Sequence, residues 1–206
     1  AKMSKSKGNV VYQTDISNKY GIDTARLFLM FVSSPDKQME WNDEGVEGSF
    51  RLINKLIRLK DKISKTDARA DHKINLTIKK VTENIESFEY PKAIVALVDC
   101  VDFFNEGVSK SNYETLLKLF SVFCPHICEE LLEKIGGKGF ISLSDWPKAD
   151  EKKINEKFEK IEKDVEKTVA DVLNILKIIK EKGKEGEKVF IYVMPFELEF
   201  YDSDEL

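Results

Sequence analysis

Glu44-Gly45-Val46-Glu47-Gly48-Ser49-Phe50-Arg51-Leu52-Ile53-Asn54-Lys55-Leu56-Ile57-Arg58-Leu59-Lys60-Asp61-Lys62-Ile63-Ser64 carries the periodicity from which the fold follows. Val46, Phe50, Ile53 and Ile57 recur at 4-3-4 spacing, which sets four apolar side chains on one helical face. They are expected to form a core stripe on a helix of about residues 44–64. Leu52, Leu56, Leu59 and Ile63 make an adjoining stripe, so this helix should meet neighbours on two sides. Asn42 or Asp43 stands where a side-chain oxygen can accept from the free N–H groups of the first turn. Arg51, Lys55 and Arg58 keep the 4-3 spacing and share a polar face. That face reads either as an ordinary solvated surface or as a ridge that touches nucleic-acid phosphates.

Downstream, helix-like segments continue at about 72–87, 91–106, 112–123 and 126–134. Pro91 suits a first helical turn and is followed by the apolar series Ile94, Val95, Leu97, Val98 and Val101. Pro125 interrupts the run from Leu116 to Leu132 and should start a new helix or kink a continuous one. Gly136-Gly137 ends this part, and Phe140 to Trp146 reads as an irregular connector packed by Trp146. Four or more amphipathic helices with short connections are what an antiparallel bundle requires. From Glu151 to Lys182, Ile154, Phe158, Ile161, Val165, Val169, Val172 and Leu176 predict one long helix of about 28 residues, about 42 Å. Its late stripe, broadened by Leu173, Ile175, Ile178 and Ile179, favours packing against another layer over a coiled coil. Gly183 to Gly186 is a turn. Val189 to Val193 is the one convincing strand, owed a partner in Glu197 to Tyr201 or in material after Leu206.

Upstream, Asp15 can cap a short turn that stops at Gly21. Asp23 reads as the N-cap of a buried helix from Thr24 to Phe31, broken at Ser33-Ser34-Pro35-Asp36. The expected fold is therefore mainly α: an antiparallel helical bundle, an N-terminal loop with a short helical stem, and a small incomplete α/β element at the C-terminal end. The expected divisions are residues 1–40, 41–148 and 149–206.

The 206 residues carry a net charge of -4, which gives no general signal for a nucleic-acid partner. The distribution is uneven. Residues 1–65 hold 12 basic and 8 acidic groups, whereas residues 66–150 hold 10 and 14, so positive charge gathers near the N-terminal end. No run approaches the length of a membrane span, and no positive-then-apolar segment resembles a secretion signal. Cys100, Cys124 and Cys128 are odd in number and sit in apolar surroundings, as reduced core thiols of a cytoplasmic protein would. Cys124 and Cys128 bracket His126, but the spacing suits tetrahedral zinc poorly, and no metal site is expected. His126 reads as a packing or capping residue, and Asp99 and Asp102 as an exposed acidic edge. Trp41 reads either as a cap on the core or as a stacking platform for a nucleotide.

The chemistry of the chain is concentrated in Lys2-Met3-Ser4-Lys5-Ser6-Lys7-Gly8-Asn9. Two lysines three apart, separated by small hydroxyl residues and followed by glycine, suit a loop that closes on phosphate. A basic, disordered segment has the same composition. The string matches in full the KMSKS signature of class I aminoacyl-tRNA synthetases, in the form seen in enzymes for leucine, isoleucine, valine and methionine. Tyr20-Gly21-Ile22-Asp23-Thr24-Ala25-Arg26 resembles the YGxDxxR segment that follows this signature. Ser34-Pro35-Asp36-Lys37, Glu40-Trp41-Asn42-Asp43 and Gly45-Val46-Glu47-Gly48 resemble leucyl-tRNA synthetases in particular. Pro125-His126-Ile127-Cys128-Glu129-Glu130-Leu131 resembles a helix start in the helical domains of several members. The likeness covers about residues 2–60 and 120–147, and the tail looks closer to archaeal-type leucyl enzymes.

The resemblance implies a C-terminal fragment of a leucyl-tRNA synthetase, an enzyme that joins leucine to ATP and passes it to leucine tRNA. Lys2 and Lys5 match the signature lysines and would act in catalysis. Lys2, Ser4, Lys5 and Ser6 would bind ATP, whose Mg²⁺ would arrive with the nucleotide rather than sit in a dedicated site. Arg51, Lys55 and Arg58 would face tRNA. No HIGH-type sequence occurs, so ATP and leucine would be held through a catalytic domain absent from this chain, and the fragment alone is expected to be inactive. Neither a membrane nor DNA is an expected partner. The alternatives are the equivalent part of an isoleucyl, valyl or methionyl enzyme, and a noncatalytic helical RNA-binding or scaffold module.

Overall fold

The computed structural model describes residues 3–8, 10–39, 41–182, 188, 190 and 192. Two compact units divide the chain, Ala1–Asn155 and Glu156–Leu206.

In the first unit, a short stem of α1 (Gln13–Tyr20) and α2 (Ile22–Val32) precedes a bundle of α3 (Asp43–Leu59), α4 (Ala68–Glu86), α5 (Tyr90–Phe103), α6 (Lys110–Phe120) and α7 (Pro125–Lys134). The starts follow from side chains that satisfy first-turn N–H groups. The Asn42 side chain accepts from Glu44 N–H at 2.9 Å, Asp67 from Ala70 N–H at 2.6 Å, and Ser109 from Asn112 N–H at 3.2 Å. Asp67 sets the start of α4 four residues before the expected one. Pro125 opens α7 as a new helix. In the stem, Tyr12 rather than Asp15 occupies the cap position of α1, and Asp15 lies in its first turn. Gly21, at φ 86 and ψ 151, makes the sharp exit from α1. That backbone region is essentially closed to residues with a Cβ.

The core stripe of α3 differs from the expected one. Val46, Ser49, Leu52, Ile53, Leu56 and Leu59 are buried, whereas Phe50 is 38% exposed and Ile63 43%. The buried arc is thus rotated toward the second apolar stripe. α3 gives way at Leu59 to a 3-10 turn, and Ile63 belongs to a strand. That strand, β1 (Ile63–Ser64), pairs in parallel with β2 (Val108–Ser109), a two-residue contact that periodicity did not announce. Leu56, Ile94, Leu97, Leu116 and Phe120 are fully buried and form the bundle core. Tyr113 joins them at no polar cost, because its hydroxyl donates to the Leu56 carbonyl at 2.9 Å. Trp146 anchors the connector after α7 by donating from its indole N–H to Thr82 Oγ at 2.8 Å.

The second unit is described by α8 (Glu156–Glu181), 26 residues and about 39 Å long. It begins five residues after the expected start, because Asp150 caps a separate 3-10 turn at Glu151–Lys153. Val165, Val169, Leu173, Ile175 and Ile178 are exposed. The turn and strand expected from Gly183 to Val193, their partner at Glu197 to Tyr201, and the archaeal-type likeness of the tail fall on residues that lie, all but three, outside those described. No helix among the described residues is long and apolar enough to cross a membrane.

Candidate functional site

The lysine loop forms one 3-10 turn, Lys5–Lys7. Lys7 N–H donates to Ser4 O at 3.0 Å and Gly8 N–H to Lys5 O at 3.2 Å. Gly8 closes the turn at φ 62, a conformation glycine enters without steric cost. The hydroxyls of Ser4 and Ser6 lie 2.8 Å apart, and Lys5, Ser6 and Lys7 are exposed. An ammonium and paired hydroxyls on an exposed turn are donors suited to phosphate oxygens. Lys2 and Asn9, also expected in this loop, lie outside the described residues.

The stem that follows the loop is tied to the bundle on both sides of Gly21. Tyr20 donates from its hydroxyl to Glu47 Oε1 at 3.2 Å, and its ring lies 5.5 Å from that of Phe50. Asp23 is not the cap of its own helix, which starts at Ile22 behind Gly21. Its side chain, 9% exposed, instead caps α7: Oδ2 accepts from Ile127 N–H at 2.7 Å. Oδ1 lies 2.8 Å from His126 Nδ1, and since a carboxylate only accepts, that nitrogen carries the proton. One turn later Arg26 donates from Nε to Phe123 O at 3.3 Å and from Nη2 to Val122 O at 3.5 Å. Sequence reading missed this junction because a local cap and a long-range cap use the same residue type. The two motifs that contain Asp23 and His126 were the available signal.

The same corner accounts for the cysteines. Cys124 Sγ donates weakly to the Asp23 carbonyl at 3.9 Å, and Cys100, Cys124 and Cys128 are all buried. Burial, then the Asp23 charge, pushes the Cys124 thiol up, and burial does the same to Cys128. Among the described residues no cluster of His, Cys, Asp or Glu is arranged to hold a metal. Glu129 faces away and caps the turn after α7, accepting from Ile141 and Ser142 N–H at 2.9 Å each.

Arg51, Lys55 and Arg58 are all exposed along α3. Lys55 Nζ lies 2.5 Å from Asp102 Oδ1 on α5, so the acidic edge is engaged with the middle of this ridge. An exposed pair of this kind contributes about 0–1 kcal/mol and exchanges readily. Trp41 meets the Phe28 ring edge-on at 5.0 Å and donates to Asp43 Oδ1 at 2.8 Å, so both its ring and its N–H have partners within the protein.

Residues 67–191 match the family model described as the anticodon-binding domain of tRNA ligase, and residues 1–42 match that of tRNA synthetases class I (I, L, M and V). The first match spans more than half of the chain, which therefore belongs to the anticodon-binding domain family of tRNA ligases. The chain is 36% identical to a leucine--tRNA ligase of Fusobacterium nucleatum over 75% of its length and 21% of that protein. It is 35% identical to a leucine--tRNA ligase of Desulfotalea psychrophila over 93% of its length and 24% of that protein. It thus spans about a fifth to a quarter of the length of these curated relatives. Its fold matches that of an Agrobacterium radiobacter K84 agnB2 LeuRS, solved in a ternary complex with tRNA and LeuAMS. There the TM-score is 0.66 at 24% identity, over 75% of this chain and 23% of that one. The expected helical bundle of the anticodon-binding type is the observed fold.

Proposed function

We propose that this chain is a segment of a leucine–tRNA ligase, acting in the cytoplasm, that supplies the ATP loop and a helical domain lying along tRNA. The observation that carries this reading is the exposed Lys5–Lys7 turn, set within the residues that match class I synthetases and joined by a short stem to the bundle. Residues 1–40 would close the catalytic region, 41–148 form the helical domain, and 149–206 begin a C-terminal domain. ATP and leucine would be held by a catalytic domain outside this chain.

Leucine activation is an in-line displacement in which the leucine carboxylate attacks the α-phosphorus of ATP and pyrophosphate leaves. A carboxylate is already a competent nucleophile, so no general base is called for. Lys2 and Lys5 would neutralise the charge that grows on the leaving pyrophosphate, an interaction strongest in the transition state. Ser4 and Ser6 would donate to phosphate or hold the turn closed. Mg²⁺ would come with the nucleotide and supply positive charge against its phosphates, with no residue of this chain assigned to hold it. Arg51, Lys55 and Arg58 would contact tRNA phosphates, Lys55 after leaving Asp102.

Lys5→Ala in the full-length ligase tests this reading. Single-turnover leucyl-adenylate formation is expected to slow by about 10²–10³, the scale of losing one transition-state donor. Unchanged activation removes Lys5 from its role. The chain by itself is expected to give no leucine-dependent ATP–pyrophosphate exchange.

A further inference from the structure

We propose that Asp23 is a positioning residue for the lysine loop: with Arg26 it forms a clasp that fixes the α1–α2 stem on the corner between α6 and α7. The proposal rests on reading residues 3–8 as the phosphate loop of a ligase.

A carboxylate buried this deeply must be matched by donors, since an uncompensated buried charge is strongly destabilising. Asp23 finds them on an element about a hundred residues away in sequence, not in its own helix. The Ile127 N–H it takes is one of the donors left free at the start of α7, where the helix dipole also favours an anion. His126 supplies the second donor. Arg26 takes two carbonyls just before that helix, at Val122 and Phe123, so one turn of α2 meets both the donors and the acceptors of the corner.

The placement of these bonds gives the clasp its consequence. Tyr20 is fixed to α3 through Glu47 and Phe50, and Asp23 to α7. Only Gly21 and Ile22 lie between, and Gly21 occupies a backbone region with no alternative of similar shape for other residues. The stem therefore has little slack where it enters the bundle, and the lysine turn, a few residues before α1, takes its position from that anchorage. Asp23 is buried and both its carboxylate oxygens are engaged by His126 and Ile127, so it acts through the stem and not on the nucleotide.

The test compares Asp23→Ala, Asp23→Asn, Arg26→Gln and Lys5→Ala in the full-length ligase. Single-turnover adenylate formation is measured across ATP concentrations, at a temperature where circular dichroism shows each variant folded. Asp23→Ala is expected to lower the maximal activation rate roughly 10- to 100-fold with the ATP KM little changed, as small misplacements of reacting groups do. Asp23→Asn is expected to restore most of that rate. Its amide oxygen accepts from Ile127 N–H, and its NH₂ donates to the other His126 tautomer. Arg26→Gln is expected to give a smaller loss of the same kind. A folded Asp23→Ala enzyme with wild-type activation, beside an impaired Lys5→Ala, overturns the clasp and leaves the ligase reading standing. If Lys5→Ala is also unimpaired, the ligase reading fails and the clasp with it. Should Asp23→Ala not fold, Arg26→Gln decides: an unchanged maximal rate overturns the proposal.

Discussion

Replacing Leu56 and Phe50 in turn by alanine separates the two possible core faces of α3. Leu56 has no exposed surface and lies within the main hydrophobic cluster. Truncating a leucine so enclosed removes its transfer free energy and leaves a cavity, for a loss of about 3–5 kcal/mol. Phe50 is 38% exposed, and its main identified partner is the Tyr20 ring at 5.5 Å. Solvent fills the space it leaves, so no cavity cost arises. The partial transfer loss and the ring pair together come to about 1–2 kcal/mol. The two variants should therefore differ by about 2 kcal/mol, with Leu56→Ala the weaker protein.

Urea unfolding followed by tryptophan fluorescence measures this difference in the right unit. Trp41 and Trp146 are the only tryptophans, and both lie in the Ala1–Asn155 unit, against Phe28 and Thr82 respectively. With unchanged slopes, the shift in midpoint converts directly to stability. A Phe50→Ala loss equal to or larger than that of Leu56→Ala would refute the reasoning and return the core to the Val46–Phe50–Ile57 stripe.

Three further outcomes follow from other contacts. A Cβ at Gly45 would stand 2.7 Å from Phe28 Cε2, in a ring already met by Trp41, so Gly45→Ala should destabilise by about 0.5–2 kcal/mol after its gain in helix propensity; a raised melting temperature would contradict this. Lys153 holds the Asp71 carboxyl below its ordinary 3.8, against burial, and Thr66 assists. Burial opposes ionisation of Glu129, but the Ser142 and Ile141 N–H groups outweigh it and hold the carboxyl below 4.5. Both lowered groups stabilise the fold above those values, and the gain is lost as pH falls below about 4 through the folded-state values. The urea midpoint should drop between about pH 6 and about pH 3, and drop less in Asp71→Asn/Glu129→Gln; equal drops would remove these two groups from the acid response. Replacing Arg51, Lys55 and Arg58 together by Gln in the full-length ligase should weaken leucine tRNA and unrelated tRNA alike. It should also flatten the salt dependence by up to about 0.9 per lost phosphate contact, nearer 2 than 3 in total because Lys55 must first leave Asp102. Unchanged affinity and slope would make the ridge a solvated face.

Features governed by neighbours in sequence were legible in the chain itself. Asn42, Pro91, Pro125 and Gly21 each act within one turn, so caps, starts and breaks could be placed from residue type. The bundle was legible for the same reason, since its helices are amphipathic and closely spaced. What could not be read depends on partners distant in sequence. Asp23 has the right type for a local cap, and nothing in residues 20–30 says that its acceptor oxygens go to Ile127 and His126. The parallel pair Ile63–Val108 and Ser64–Ser109 is too short to carry a period of two. In the loop, the spacing of Lys2 and Lys5 drew attention to phosphate, but composition alone left a disordered segment equally open, and only the matched string distinguished them.

Phe50 shows why an apolar period can be right about helix and wrong about core. α3 presents three arcs. One, from Val46 through Ser49, Ile53 and Leu56, faces the bundle interior. A second carries Arg51, Lys55 and Arg58 to solvent. The third holds Glu47 and Phe50, a polar and an aromatic residue that receive the hydroxyl and the ring of Tyr20. An aromatic side chain pairs well with a tyrosine whose other end is polar and wet, which is why Phe50 is apolar without being in the core. Phe50, which periodicity assigns to the core beside the buried Val46 and Ile53, thus receives the stem behind the lysine loop. A side chain that is 38% exposed and pairs mainly with the Tyr20 ring contributes little to the bundle core, so a modest Phe50→Ala stability loss is the expected outcome.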